Sequence, residues 1–205
     1  PSITDQWITS RLNHTIKLAN DHFEQYRFDL LAQTLYEFTW NEYCDWYLEF
    51  AKCTLQNPQA TEIECNTTRY TLVSILENIL RLLHPLTPFI TEEIWQTVRP
   101  TLGLETGSIM LQSYPAEQAE HTHVDAENSI DAVKKFVSSI RNLRGEMNIS
   151  PAKKVDIYCV EQRSGCSLTL QAQELFILNL SKVNQIHWNC AREDIPTSAS
   201  ALIND

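Results

Sequence analysis

Two groups of acidic and histidine side chains are the first candidates for chemistry in this chain. Glu92 and Glu93 are adjacent carboxylates, the residue type that general acid–base catalysis uses. Neighbouring residues of a helix point about 100° apart, so these two cannot share a proton as a catalytic pair. They fit better as solvated acids in the first turn of a helix, where the helix dipole favours negative charge. We assign them no catalytic role.

The second group, His121, His123, Asp125 and Glu127, contains side chains that bind metal ions. It lies in a predicted loop without any further ligand spacing, so we predict no metal site. No order of Ser, His, Asp or Cys residues suggests nucleophilic catalysis. With only four glycines, the chain also holds none of the Gly-rich fingerprints that bind nucleotides. The sequence therefore predicts no catalytic residue.

Basic residues form the third group, and they are unevenly placed. Residues 134–154 hold six Lys and Arg against Glu146 alone, a local charge of +5. The whole chain carries −10, so the remaining residues together carry −15. Because attraction to phosphate is screened beyond about 10 Å at moderate salt, a basic segment of an acidic protein can still bind nucleic acid locally.

The segment 28–51, FDLLAQTLYEFTWNEYCDWYLEFA, predicts the helix around which the chain is organised. It contains no Gly or Pro, and its polar residues recur at every fourth position in one narrow stripe: Gln33, Glu37, Asn41, Asp45 and Glu49. The rest is largely apolar, and so wide an apolar surface needs more than one neighbour. We predict the central helix of a bundle, with Asp29 as its N-cap and Trp40 and Trp46 in the core.

Apolar spacing and capping residues predict four further helices. The first is capped by Thr4 or Asp5 and ends near Gln25. Thr87–Pro88 has the N-cap and first-turn proline of a helix start. The other helices are expected over about 67–84, 87–99 and 125–147, with an irregular stretch between 101 and 123 in which SIMLQSYP is extended. We expect one shared core that includes Leu35, Trp46, Leu76 and Trp95.

After residue 150 the apolar period changes from helical to alternating. KVDIYCV at 154–160 and VNQIHW at 183–188 are predicted strands, QAQELFILNL at 171–180 is a predicted helix, and 198–203 could form a short strand. The predicted fold class is therefore mainly α: a helical bundle over residues 1–124, followed by a fifth helix and a small α/β appendage over 125–205.

Cysteine usage and hydropathy indicate a cytoplasmic protein. The six cysteines form no CxxC pair, and a chain of this size with 43% hydrophobic residues does not need disulfides, so we expect free thiols. No apolar run approaches the roughly 18–20 residues of a membrane span, and the first residues do not form a signal peptide. The absence of an initial Met suggests an excised fragment.

Four blocks of the sequence carry a further signal: TDQWITSRLN at 4–13, YRFDLLAQTLYEFTWNEYCDWYLE at 26–49, LVSILENILRLLHPLTPFITEEIWQ at 72–96 and IRNLRGEMNISP at 140–151. In this order they resemble the anticodon-binding domain of class I aminoacyl-tRNA synthetases. The isoleucyl, leucyl and methionyl enzymes share this bundle, but the EFTWN and CDWYLE segments are typical of the valyl branch. The resemblance extends over residues 3–160 and weakens after them.

The resemblance implies a domain that grips the anticodon arm of tRNA(Val) within a longer polypeptide. The catalytic core of that polypeptide would activate valine with ATP and esterify the tRNA. The ATP-binding signatures of the HIGH and KMSKS types are absent here, so we expect this chain to be catalytically inert, without a cofactor and monomeric. The coiled coil that comes later in the family has no counterpart here, because the chain contains no heptads.

An anticodon is a single-stranded loop whose bases stack on aromatic rings or guanidinium planes and are read on their edges. The resulting RNA-binding candidates are Arg11, Asn13, His14, Arg27, Phe28, Arg141, Asn142 and Arg144. Arg11 ranks first because the resemblance places its helix against the loop, where it would meet a base. Arg141 and Arg144 share a helix face and would contact phosphates. Each arginine could instead be an ion-pair residue or a bundle staple, Arg11 pairing with Glu37 or Asp45.

Three other functions are compatible with parts of this sequence. One is the same domain of an isoleucyl- or leucyl-tRNA synthetase. Another is a helical module that binds protein and never RNA, although such a module has no need of the basic segment 134–154. A glutathione-transferase-like enzyme is disfavoured, because the chain lacks a thioredoxin-type βαβ start.

Overall fold

The computed structural model describes residues 1–105, 107–150, 152–160, 166–201 and 203, without the side chains of Cys166, Ser167 and Asp194. Helices dominate, and the described residues contain one pair of strands near the C-terminus. The predicted fold class, a helical bundle followed by a small α/β part, is therefore confirmed. Two compact units, Pro1–Glu127 and Asn128–Asp205, divide the chain.

Helix α1 spans Ile3–Glu24 and is capped by Ser2, not by the predicted Thr4 or Asp5. The Ser2 hydroxyl accepts a hydrogen bond from the Asp5 backbone N–H at 3.2 Å, and the Asp5 carboxylate accepts one from the Ser2 N–H at 3.1 Å. This reciprocal capping box satisfies two N–H groups of the helix start. The apolar face of α1 is buried at Trp7, Ile8, Leu12, Ile16 and Ala19.

The predicted central helix is not uniform along its length. Helix α2 (Phe28–Glu37) continues into a π-helix over Phe38–Tyr47 and then into α3 (Leu48–Leu55). Arg27 occupies the N-cap position, so the predicted cap Asp29 lies in the first turn instead.

The π-helix changes which side chains face the core. Its hydrogen bonds join residues five apart, so its faces repeat at a longer spacing than those of an α-helix. The buried positions follow this spacing: Phe38, Tyr43 and Tyr47. Trp40 lies between them and is 55% exposed, so its predicted core position is wrong. It stacks on the exposed Tyr36, while Trp46 is half-buried and stacks on Phe50.

Helix α4 spans Glu62–Leu83 and begins earlier than predicted, because Thr61 and Glu64 form a second capping box. Helix α5 spans Pro88–Val98 and follows Thr87 as predicted. Trp95 is fully buried and packs with Leu80 and Ile109. Of the other residues expected in one core, Leu35 is buried, but Leu76 and Trp46 are only partly so.

The segment between α5 and the next long helix contains short 3₁₀ turns at Arg99–Leu102, Ile109–Leu111 and Ala119–His121, so the predicted extended course of SIMLQSYP is wrong in part. Helix α6 then spans Val124–Glu146, as predicted. The division between the two compact units falls within α6.

Strands β1 (Val155–Tyr158) and β2 (Val183–His187) pair in parallel, with an irregularity between Val155 and Asp156. Two helices, α7 (Cys166–Gln171) and α8 (Glu174–Ser181), lie between them where one was predicted. The described residues of 198–203 form no strand.

One buried carboxylate ties three helical segments together. Asp5 is 1% exposed and accepts a hydrogen bond from the Tyr47 hydroxyl at 2.6 Å and one from the Thr68 hydroxyl at 3.3 Å. These partners come from the π-helix and from α4, so Asp5 fixes α1 against both.

Within the described part of the chain, no helix is both long and apolar enough to cross a membrane.

Candidate nucleic-acid interface

Arg11, the first-ranked candidate, is engaged by two carboxylates. Its Nε and Nη2 donate to Glu42 of the π-helix at 2.9–3.1 Å, and its Nη1 lies 3.5 Å from Glu127. Such a two-pronged guanidinium–carboxylate pair is both strong and geometrically specific. The geometry thus favours the ion-pair alternative, with Glu42 in place of Glu37 or Asp45. Base contact by Arg11 stays a prediction.

Asn13 and His14 differ in surroundings although they are adjacent on α1. Asn13 is 4% exposed; its amide nitrogen donates to the Gln118 carbonyl at 2.9 Å, and its amide oxygen accepts from the Gln118 N–H at 2.9 Å. Both bonds hold the 3₁₀ segment that precedes α6. His14 is exposed. Of the two, only His14 therefore presents its side chain to solvent.

The turn between α1 and α2 carries an exposed aromatic pair. Tyr26 is 80% exposed and Phe28 48%, and their rings meet edge to face with centroids 6.4 Å apart. Tyr26 has φ 57°, in the left-handed region that residues other than glycine seldom adopt. Phe28 packs on Phe23, which packs in turn on Tyr114. The pair is thus anchored on one side and open to solvent.

Arg27 lies between these two aromatic residues. Its Nε and Nη2 donate to the Asp29 carboxylate at 2.9 and 2.7 Å. This hydrogen-bonded pair raises the pKa of Arg27 and lowers the pKa of Asp29 to about 2. Both side chains are more than half exposed, so the turn presents a charged guanidinium beside two rings.

Arg141 and Arg144 on α6 both donate to backbone carbonyls. Arg141 Nε and Nη2 reach the Leu180 carbonyl at 3.2 and 3.0 Å, although the residue is exposed. Arg144 is 7% exposed and donates to the carbonyls of Ser150, Lys153 and Lys182. This geometry favours the staple alternative for Arg144, and the phosphate contacts of both arginines stay predictions. Asn142 is exposed.

Charge is divided unequally between the two units. Pro1–Glu127 holds seven Lys and Arg against eighteen Asp and Glu, a balance of −11. Asn128–Asp205 holds nine against eight, a balance of +1. General attraction to phosphate is therefore expected from the second unit. The described residues contain no group of three or more His, Cys, Asp or Glu side chains that could hold a metal ion.

Tyr26 and Lys182 were not among the residues predicted from the sequence. Tyr26 directly precedes the candidates Arg27 and Phe28. Its position between two helices is a signal by which it could have been included among the RNA-binding candidates. Lys182 lies outside the basic segment 134–154, and nothing in the sequence indicates that it meets that segment.

The family of the chain is identified by comparison with known proteins. Residues 5–159 match the model of the anticodon-binding domain of tRNA ligase. Over 200 residues, 98% of the chain, it is 48% identical to the valine–tRNA ligase of Coxiella burnetii. Over 204 residues it is 44% identical to the valine–tRNA ligases of Legionella pneumophila strains Lens and Paris. The chain spans 22% of the length of each of these relatives. Because the family model matches most of the helical part described above, this chain belongs to the anticodon-binding domain family of tRNA ligases.

Proposed function

We propose that this chain is the anticodon-binding region of a valine–tRNA ligase and binds the anticodon arm of tRNA(Val). The family match over residues 5–159, together with 44–48% identity to three valine–tRNA ligases, carries the proposal. The same identity favours the valyl over the isoleucyl or leucyl branch. Membership in an anticodon-binding family also disfavours the alternative function, a helical module that binds only protein.

In this proposal the chemistry belongs to the rest of the polypeptide. A catalytic core would activate valine with ATP and esterify the tRNA, while this chain, which needs no cofactor, holds the anticodon arm. The complete ligase would act in the cytoplasm as a monomer. Rigid positioning of a bound substrate is what such a domain contributes to the rate.

The exposed turn between α1 and α2 is the part of the bundle best suited to an anticodon loop. Unstacked bases gain free energy by stacking on aromatic rings, and such stacking tolerates any base. Tyr26 and Phe28 offer two exposed rings, and Arg27 places a positive charge beside them. Base-edge recognition would fall to exposed polar side chains of the same unit, such as His14.

The test measures binding of the chain to the anticodon stem-loop of tRNA(Val) and to the same stem-loop with an altered anticodon, by fluorescence anisotropy. The wild type is expected to bind the matched loop more tightly. Tyr26→Asn removes the ring but keeps a residue that tolerates positive φ, and it should weaken binding by about 1–3 kcal/mol.

Phe89→Ala is the matched control, because Phe89 is an aromatic residue of α5 that is 89% exposed. It should leave RNA affinity unchanged. Equal affinity of the wild type for both stem-loops would refute anticodon recognition. Equal effects of Tyr26→Asn and Phe89→Ala would refute the assignment of the α1–α2 turn.

A further inference from the structure

Arg144 joins two segments that are distant in sequence. Its Nη2 donates to the Ser150 and Lys153 carbonyls at 2.8 and 2.7 Å, and its Nη1 lies 3.4 Å from the Lys182 carbonyl. Since a guanidinium is a small rigid fork, the carbonyl oxygens of Lys153 and Lys182 lie within roughly 9 Å of each other. One buried side chain therefore holds two lysine-bearing segments side by side.

The lysines of these segments are exposed. Lys153, Lys154 and Lys182 all present their side chains to solvent, and no described carboxylate forms an ion pair with them. Lys182 follows α8 as its C-cap with φ 55°, and Arg141 donates to the carbonyl of Leu180, two residues before it. We call Lys153, Lys154 and Lys182 the lysine cluster.

We propose that the lysine cluster is a binding site for the phosphate backbone of RNA and that Arg144 is its positioning residue. This inference rests on the proposed function, because it assigns the cluster to the same tRNA. Lysine ammonium groups are compact, strongly hydrated charges that contact phosphates without reading bases. The cluster therefore supplies affinity and orientation, while discrimination between anticodons lies elsewhere.

Charge explains why the backbone site belongs to this unit. The unit Pro1–Glu127 carries −11 and repels phosphate, so a domain that grips RNA needs a local positive surface. The cluster places three positive charges on exposed side chains, whereas the Arg144 side chain is buried. The lysines thus take over the phosphate contacts that the sequence assigned to Arg144.

The test measures binding of the chain to a tRNA(Val) transcript at salt concentrations between 50 and 200 mM. Each phosphate contact adds close to one unit to the slope of log affinity against log salt. The double variant Lys153→Ala/Lys182→Ala should reduce the steepness of this slope by about two units. Its loss of affinity should accordingly be about tenfold greater at 50 mM than at 200 mM.

Lys52→Ala is the matched control, since Lys52 is an exposed lysine of α3 in the other unit. It should leave the slope unchanged. If the wild type binds the transcript but the double variant keeps its slope, the lysine cluster is refuted while the proposed function stands. If the wild type does not bind the transcript at any salt concentration, the proposed function itself fails.

Arg144→Lys tests the positioning role. It keeps the net charge, but a single ammonium group cannot reproduce the fork that holds three carbonyls. We expect a lower salt slope than in the wild type, with circular dichroism showing unchanged helix content. A folded Arg144→Lys protein with the wild-type slope would overturn the role of Arg144, and the double lysine variant tests the cluster independently of it.

Discussion

The hydrogen bond between Tyr47 and Asp5 provides a direct test of how the bundle is held together. The Tyr47 hydroxyl donates to Asp5 Oδ1 at 2.6 Å, with Tyr47 0% and Asp5 1% exposed. Burial, followed by the neighbouring Asp5 charge, raises the pKa of Tyr47 well above its ordinary value, so the hydroxyl stays protonated as a donor. Tyr47→Phe removes this donor while it keeps the ring.

The magnitude follows from the burial of both groups. A hydrogen bond to a charged group contributes about 1.5–3 kcal/mol, and an acceptor left unsatisfied in the interior incurs its desolvation cost. Water cannot replace the lost hydroxyl where both residues are buried. Asp5 Oδ2 keeps its bonds from Thr68 and from the Ser2 N–H, so the carboxylate is weakened but not isolated. We expect a loss of about 2–3 kcal/mol in the free energy of unfolding.

Urea denaturation followed by circular dichroism at neutral pH measures this loss. Tyr36→Phe is the matched control. It removes the same hydroxyl group from a tyrosine of α2 that is 62% exposed to solvent. The control should change the free energy of unfolding by less than about 0.5 kcal/mol. A Tyr47→Phe loss as small as that of the control would show that the buried hydrogen bond does not stabilise the bundle.

Two further predictions concern charged groups of the candidate interface. The pairing of the Arg11 guanidinium with Glu42 favours the ion-pair alternative over the predicted base contact. If Arg11 acts only as an ion-pair residue, Arg11→Ala should weaken the matched and altered stem-loops equally; a loss confined to the matched loop would establish the base contact. Since the Arg27 pair lowers the pKa of Asp29 to about 2, Asp29 should stay ionised as the pH falls from 4 towards 2. Its carboxyl NMR titration should shift upward to near 4 in Arg27→Ala, and an unchanged midpoint would contradict the pairing.

Most helices could be predicted from local signals. Helix α5 begins at Pro88 behind Thr87, and α6 ends at Glu146 close to Gly145, because prolines, caps and apolar spacing act within a few residues. The start of α4 was missed although its capping box of Thr61 and Glu64 is equally local.

The exposure of Trp40 could not be predicted, because it depends on the π-helix. An α-helical spacing places this side chain on an apolar face, but the hydrogen-bond ladder of Phe38–Tyr47 turns Tyr43 and Tyr47 inward instead. That ladder coincides with packing against two other segments: Tyr47 bonds to Asp5 of α1 and Tyr43 to the Leu72 carbonyl of α4. Asp5 lies 42 positions from Tyr47 in the chain, and Leu72 lies 29 positions from Tyr43.

Residue types, their spacing and their caps were enough for the helical class, the basic segment and the resemblance to anticodon-binding domains, because each is a property of neighbouring residues. Whether a given arginine faces RNA or the protein depends on groups brought near it by folding. Arg11 meets Glu42 from the next helix, and Arg144 meets the carbonyl of Lys182, 38 positions away. A guanidinium binds a carboxylate, a carbonyl or a phosphate with similar geometry, so only the folded chain determines which of them it meets.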